Sequence, residues 1–140
     1  MGTYISQSDI EDVYGVANVA QWSVIEPTGD PTTANTTRTA AAITYAESYV
    51  EDRMRASRYA VPMSASGGSF PPVVKDWMAR LAGVWLYESR AGRGGSNDED
   101  SPVTGHRAAV SMEINAAVSG MQRLNLALNY AATPSAPTVV

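Results

Sequence analysis

The sequence predicts an all-α fold: a compact bundle of three main helices, preceded by one or two short N-terminal helices and joined by long loops. Two observations lead to this prediction. Apolar residues recur at three- and four-residue steps in three long segments, and no segment shows a strong signal for pairing with a second strand. The chain has 140 residues, 44% of them hydrophobic and 17% charged, which is ordinary for one domain with a real core. We expect this helical domain to span residues 1–130 and an extended tail to occupy residues 131–140.

The N-terminal part predicts two short helices. Ser6 is suited to cap the first helix, with Asp9 three positions later in a pattern that resembles a capping box. Gly15 is suited to end this helix in the left-handed conformation. Residues 16–23 predict a second helix, whose apolar contacts would come from Val16, Val19, Ala20 and Trp22.

The third helix is predicted from Thr36 or Thr37 to about Ser57. Its core-facing stripe, at helical spacing, consists of Ile43, Ala46, Val50, Met54 and Ser57. Four charged residues are expected on or beside the wet face, namely Glu47, Glu51, Asp52 and Arg55. Among them Glu51 and Arg55 have the i,i+4 spacing of an ion pair.

The fourth helix begins at Pro72, since proline is tolerated in a first helical turn. Its wide apolar stripe consists of Val74, Trp77, Met78, Leu81, Val84 and Trp85, and Trp77 and Trp85 are expected on one face in the core. The fifth helix is predicted from Pro102 or His106 to Ser119, with Gly120 as its stop. Its stripe would be Val110, Ile114, Ala117, Val118 and Met121, and residues 124–128 could alternate as a short strand.

Composition restricts the classes of function. A net charge of −4, with the basic residues spread along the chain, argues against nucleic-acid binding driven by bulk electrostatics. Cysteine is absent, which excludes disulfides and thiolate metal sites. No secretory signal is recognisable, and the longest apolar stretch, residues 81–87, is too short to span a bilayer. We therefore expect a soluble intracellular protein without a membrane partner.

Few residues are candidates for chemistry. The one histidine, His106, lies near a predicted helix start, where a solvated or capping role is the commoner one. The acidic cluster Asp98, Glu99 and Asp100 could bind a hard cation, but it lacks the alternation and the turn glycine of a calcium loop. A solvated acidic loop is the favoured interpretation. We expect no catalytic, cofactor or metal site and no enzymatic activity.

Several short motifs carry a family resemblance. They are "YISQSDI" (4–10), "RYAVP" (58–62), "PPVV" (71–74), "WLY" (85–87) and the closing Gly120. In this order they resemble the Mu-like phage head–tail connector proteins, and the resemblance covers roughly residues 3–126. The acidic loop at 91–105 and the chain after residue 128 depart from the family's outline.

The resemblance implies a helical adaptor of the virion neck. Copies of such a protein assemble as a ring, commonly a dodecamer, between the portal protein and a tail or neck protein. Double-stranded DNA passes through the ring without specific binding. The implied location is the virion, with the host cytoplasm during assembly.

In this interpretation, the segment after the third helix fastens the end of that helix. We expect the Tyr59 ring to pack over the fourth-helix stripe and the Arg58 guanidinium to pair with a carboxylate or bond helix-end carbonyls. Val61 and Pro62 would then direct the chain back towards the fourth helix. Two alternatives stay open: a tail-completion or other neck protein, and a small nucleic-acid-binding regulatory module.

Overall fold

A computed structural model describes residues 2–25, 29–90 and 103–129. These ranges contain five helices: α1 (Gln7–Tyr14), α2 (Val16–Ser23), α3 (Thr36–Met54), α4 (Pro72–Glu88) and α5 (His106–Val118). Within the same ranges, β structure is limited to two isolated bridges, Tyr59 with Leu128 and Ala65 with Leu126. The predicted all-α class is therefore confirmed. The predicted tail at 131–140 lies outside the described residues.

Helix α4 is the centre of the bundle, since it contacts each of the other four helices. It begins with Pro72 in its first turn and is buried on most sides. Its fully buried side chains include Val74, Trp77, Met78, Leu81, Val84 and Leu86. Helices α3 and α4 form the most extensive contact, and α1 and α5 each pack against both of them. The backbones of α1 and α5 are not close to each other, and the two helices meet through the side chains of Tyr14 and His106.

Helix α3 begins as predicted but ends three residues early. The Asn35 side chain accepts hydrogen bonds from the backbone N–H groups of Thr37 and Arg38, which caps the helix. At the other end, the Ser57 N–H and the Ser57 hydroxyl both donate to the Met54 carbonyl, at 2.9 and 2.6 Å. These local bonds form the turn after α3, so Ser57 is half-buried beyond the helix end and does not extend the apolar stripe.

Helices α1 and α2 meet at Gly15, which ends one and precedes the other. The Asp9 carboxylate accepts a hydrogen bond from the Ser6 N–H at 2.8 Å, as the capping-box pattern predicts. Gly15 has φ 93° and ψ 146°, so it needs positive φ but is not in the left-handed helical region. In α2, Val19, Ala20 and Trp22 are buried, whereas the prediction for Val16 is wrong because it is 64% exposed.

Helix α5 buries Val110, Ile114 and Ala117. The prediction for Met121 is wrong: the helix has ended by Gly120, whose φ of 87° turns the chain, and Met121 is 87% exposed. Beyond this turn, residues 124–129 run alongside residues 58–66, with four backbone hydrogen bonds between the two segments. Residues 124–129 therefore form an irregular ribbon in place of the predicted short strand at 124–128.

No helix in the described ranges has both the length and the apolar character needed to cross a bilayer.

Candidate functional site

Tyr59 connects the end of α3 to the segment that follows α5. Its side chain is 3% exposed and belongs to the same core cluster as the buried residues of α4. The Tyr59 hydroxyl accepts a hydrogen bond from the Leu124 N–H at 2.8 Å, and the Tyr59 N–H donates to the Ser57 hydroxyl at 3.1 Å. The tyrosine therefore serves as both a core side chain and a polar anchor for the ribbon.

Arg58 lies on the surface beside this anchor. Neither of its predicted partners, a carboxylate or a helix-end carbonyl, contacts its guanidinium among the described residues. The guanidinium instead lies against Gly120, where an added Cβ would come within 2.6 Å of the Arg58 Nη2. Its backbone carbonyl accepts a hydrogen bond from the Asn129 N–H at 2.9 Å. The side chain is thus held at the turn after α5 and remains available at the surface.

Pro62 is exposed and follows Val61 through a cis peptide bond. The next residue, Met63, donates its N–H to the Tyr4 hydroxyl at 2.9 Å. The segment after α3 is therefore attached to the N-terminal segment as well as to the ribbon. Through Tyr59 and Met63, this segment holds itself, the N-terminal segment and the ribbon together at one end of the bundle.

The two tryptophans of α4 do not share one face. Trp77 is fully buried, and its indole N–H donates to the Glu113 carboxylate at 2.5 Å. Trp85 is half-buried, with the Arg38 guanidinium 4.7 Å from its ring centroid. Eight residues rotate a helix by about 80° beyond two full turns, which moves Trp85 to the margin of the core.

The predicted acidic cluster of Asp98, Glu99 and Asp100 lies outside the described residues. Within the described ranges, no group of three or more histidine, aspartate or glutamate side chains could hold a metal ion.

The site that sequence reasoning missed is Glu47. Its side chain was expected on the wet face, but the residue is only 8% exposed. Its carboxylate accepts hydrogen bonds from the backbone N–H groups of Thr3, Tyr4 and Ile5, at 3.0, 2.6 and 3.0 Å. The signal was present in the sequence, because Glu47 lies four residues after Ile43 and three before Val50, on the core stripe itself.

Glu51 takes part in the same attachment, and its predicted pairing with Arg55 is wrong. Its carboxylate accepts a hydrogen bond from the Tyr4 hydroxyl at 2.7 Å, while Arg55 pairs with Asp52 on the outer face. Burial and the hydrogen bond to Glu51 raise the pKa of Tyr4 to about 12. Tyr4 therefore keeps its proton and donates it, as the geometry requires.

His106 contacts α1 at the start of α5. Its Nδ1 lies 2.6 Å from the Tyr14 hydroxyl, which also lies 3.3 Å from the Arg80 carbonyl. Burial raises the pKa of Tyr14 well above its ordinary value. Burial, and secondarily the positive charge of Arg80, lowers the pKa of His106, with Asp76 opposing the effect. The phenol and the neutral imidazole therefore share a hydrogen bond whose donor is set by the tautomer of His106, and this bond joins α1 to α5.

A shallow groove between α1 and α4 is a second surface feature. Val13, Pro72 and Ala79 supply its apolar part, and its charged lining consists of Asp9, Asp12, Lys75 and Asp76. Lys75 lies 3.6 Å from Asp9, and Asp76 is bonded to Arg80 at 2.8 Å. Asp12 is the lining carboxylate that has no ion pair among the described residues.

Comparison with known proteins supplies the family. The model of the family described as "Bacteriophage Mu, Gp36" matches residues 4–139. No curated protein and no solved structure matches the chain. The match covers nearly all of the sequence and includes the segments that contribute Tyr4, Glu47, Tyr59 and His106. The chain therefore belongs to the bacteriophage Mu Gp36 family.

Proposed function

We propose that this protein is a head–tail connector: a structural adaptor that forms a ring between the portal and the tail and lines the DNA channel. The observation that carries the proposal is the phage family match from residue 4 to residue 139. Its partners would be further copies of itself, the portal protein, and a tail or neck protein. Its place would be the neck of the virion, after assembly in the host cytoplasm.

The use of polar groups in the fold supports a structural role. Glu47 and Glu51 hold the N-terminal segment, Tyr59 holds the ribbon, and the Tyr14–His106 pair joins two helices. Each of these groups fastens one part of the chain to another. A protein that works by docking needs such internal attachments, because a rigid surface loses less conformational freedom on binding.

The charge of the chain supports its position around DNA. Each copy carries a net charge of −4, so a ring repeats this negative charge around its axis. A channel wall of the same sign as the phosphate backbone lets duplex DNA pass without adhering. We therefore propose passage of DNA without specific binding.

The test is an amber mutation in the gene for this protein, in the phage that encodes it. A connector predicts separate DNA-filled heads and free tails by electron microscopy, and a ring on the portal when purified protein and portal are mixed. Complementation with the wild-type chain should restore joined particles. Complementation with a Gly83→Val variant, which cannot pack α1 on α4, serves as the negative control.

Two results would redirect the assignment. Heads closed by the ring but joined to defective tails would favour the tail-completion alternative. Complete virions without this protein, together with salt-sensitive retention of the purified chain on DNA, would favour the nucleic-acid-binding alternative.

A further inference from the structure

We propose that a methionine knob on one copy of this chain docks into the α1–α4 groove of a second copy, head to tail. The knob consists of Arg58, Met121 and Arg123. The inference deepens the proposed connector function, on which it rests for the ring, by naming the two faces that join neighbouring copies.

The knob combines an exposed apolar side chain with unpaired positive charge. Met121 is 87% exposed, the most exposed of the large hydrophobic residues in the described ranges. The positive φ of Gly120 projects it away from α5, and the Arg58 guanidinium lies against the same glycine. Arg123 follows two residues later and is exposed. Neither arginine forms an ion pair within the described part of the chain.

The groove has the matching chemistry. Val13, Pro72 and Ala79 offer apolar surface to a flexible methionine side chain. Lys75 offsets Asp9, and Arg80 offsets Asp76. The exposed carboxylate of Asp12 is left to meet an incoming guanidinium, which binds carboxylates well because of its planar fork of donors.

The position of the two faces determines the kind of contact. Met121 and Arg123 of the knob follow α5, and the groove lies between α1 and α4. None of the knob residues lines the groove, so one molecule presents both faces at once. Joining a knob to a groove is a heterologous contact, which repeats from copy to copy and closes into a ring when the rotation permits. A contact of knob with knob would bring arginines together and is disfavoured.

Disulfide trapping tests the contact cleanly, because the chain contains no cysteine. Full-length protein carrying Met121→Cys and Val13→Cys together, with Asp12 of the groove kept, is oxidised at millimolar concentration and resolved on a non-reducing gel. A knob-in-groove contact predicts a ladder of dimers, trimers and larger species. Each single variant lacks one half of the pair and should give no species above a dimer.

The matched control combines Met121→Cys with Ser48→Cys, since Ser48 is an exposed residue of α3 outside the groove. The ladder should be at least about tenfold weaker in this control. Adding Arg58→Glu and Arg123→Glu to the trapping pair should also reduce the ladder about tenfold, because it reverses the charge that faces Asp12.

Equal ladders in the trapping pair and the control would overturn the proposal, and so would efficient dimers from Met121→Cys alone. Salt-sensitive DNA binding that is lost with Arg58→Glu and Arg123→Glu, without a ladder, would assign the arginines to phosphates instead. The proposed function is judged separately. Rings on the portal without a ladder would refute only this contact, and a ladder without portal binding would refute only the connector role.

Discussion

Glu47 shows how one carboxylate can position a whole segment. A buried charge is costly unless hydrogen bonds satisfy it, and here the backbone N–H groups of Thr3, Tyr4 and Ile5 do so. These N–H groups precede α1, so they have no partner within a helix. The charge and the orphan donors therefore satisfy each other, and the N-terminal segment is fixed against α3.

Replacing Glu47 tests this attachment. Glu47→Gln keeps the shape of the side chain but removes the charge and places an NH2 donor against backbone donors. We expect the free energy of unfolding to fall by about 1–3 kcal/mol, as measured by urea denaturation. The control is Asp52→Asn, an exposed carboxylate on the same helix, which should cost less than about 1 kcal/mol. Equal losses in the two variants would show that the Glu47 contacts contribute little.

Two substitutions of Tyr59 distinguish the role of its ring in the core from the role of its hydroxyl in anchoring Leu124. Tyr59→Ala removes a buried aromatic ring and should cost about 3–5 kcal/mol, whereas Tyr59→Phe removes only the bond to the Leu124 N–H and should cost about 1–3 kcal/mol. Both values come from chemical denaturation. A loss of stability below about 0.5 kcal/mol for Tyr59→Ala would show that the tyrosine does not fasten the end of α3.

His106 predicts a pH dependence with a defined sign. Its folded pKa is lowered by burial and by Arg80, so it lies below the unfolded value of about 6.5. Between the two values the unfolded chain binds more protons, and stability therefore rises with pH. The contribution of neutral His106 is fully present above about pH 6.5 and is lost as the pH falls through the folded pKa.

The measurement compares thermal unfolding of the wild type and His106→Gln at about pH 7.5 and about pH 5.5. The midpoint of the wild type should fall more on acidification than that of the variant, because carboxylate titrations are common to both. An identical fall in the two proteins would show that the Tyr14–His106 contact does not couple folding to protonation.

The packing of α1 on α4 depends on a missing side chain. A Cβ at Gly83 would lie 2.1 Å from Cε2 of the Tyr14 ring, a distance that no packing adjustment of an aromatic ring absorbs cheaply. Glycine within a helix costs roughly 0.5–1 kcal/mol relative to alanine. The central helix thus gives up some intrinsic stability so that α1 can approach it closely and Tyr14 can reach His106.

Gly83→Ala should therefore destabilise the protein even though alanine favours helix. We expect a net loss of about 1–2 kcal/mol from the overpacked contact, measured by denaturation. Gly67→Ala is the matched control, because a Cβ at Gly67 meets nothing within 4 Å, and it should change stability by less than about 0.5 kcal/mol. A more stable Gly83→Ala protein would mean that α1 shifts freely on α4.

At the level of the assembled bundle, the attachments converge on one end. The Tyr4 hydroxyl, the Met63 N–H and the Glu51 carboxylate meet there, and Tyr59 holds Leu124. The turn that carries Met121 precedes Leu124 directly. The knob therefore lies beside segments that are held together by several hydrogen bonds. These bonds keep the surface of the proposed contact between copies rigid.

Local patterns in the sequence were enough to predict the helices. Each of these predictions depends on residues within about two helical turns of one another. They concern the apolar stripes of α3 and α4, the start of α4 at Pro72, the Ser6–Asp9 cap and the motif around Tyr59. Helix formation and capping are local physics, so these predictions hold without knowledge of the neighbours. The family resemblance rests on the same short motifs.

Tertiary packing determined which polar side chains are buried between segments that are distant in the sequence. Glu47 has the spacing of a core residue and the chemistry of a surface residue. It is buried because the N–H groups of residues 3–5, more than 40 positions away, meet its charge. Likewise His106 meets Tyr14, 92 positions away, because of how α1 and α5 are placed on α4. The energy of a buried polar group depends on its partner, and a partner distant in the chain is known only once the chain has folded.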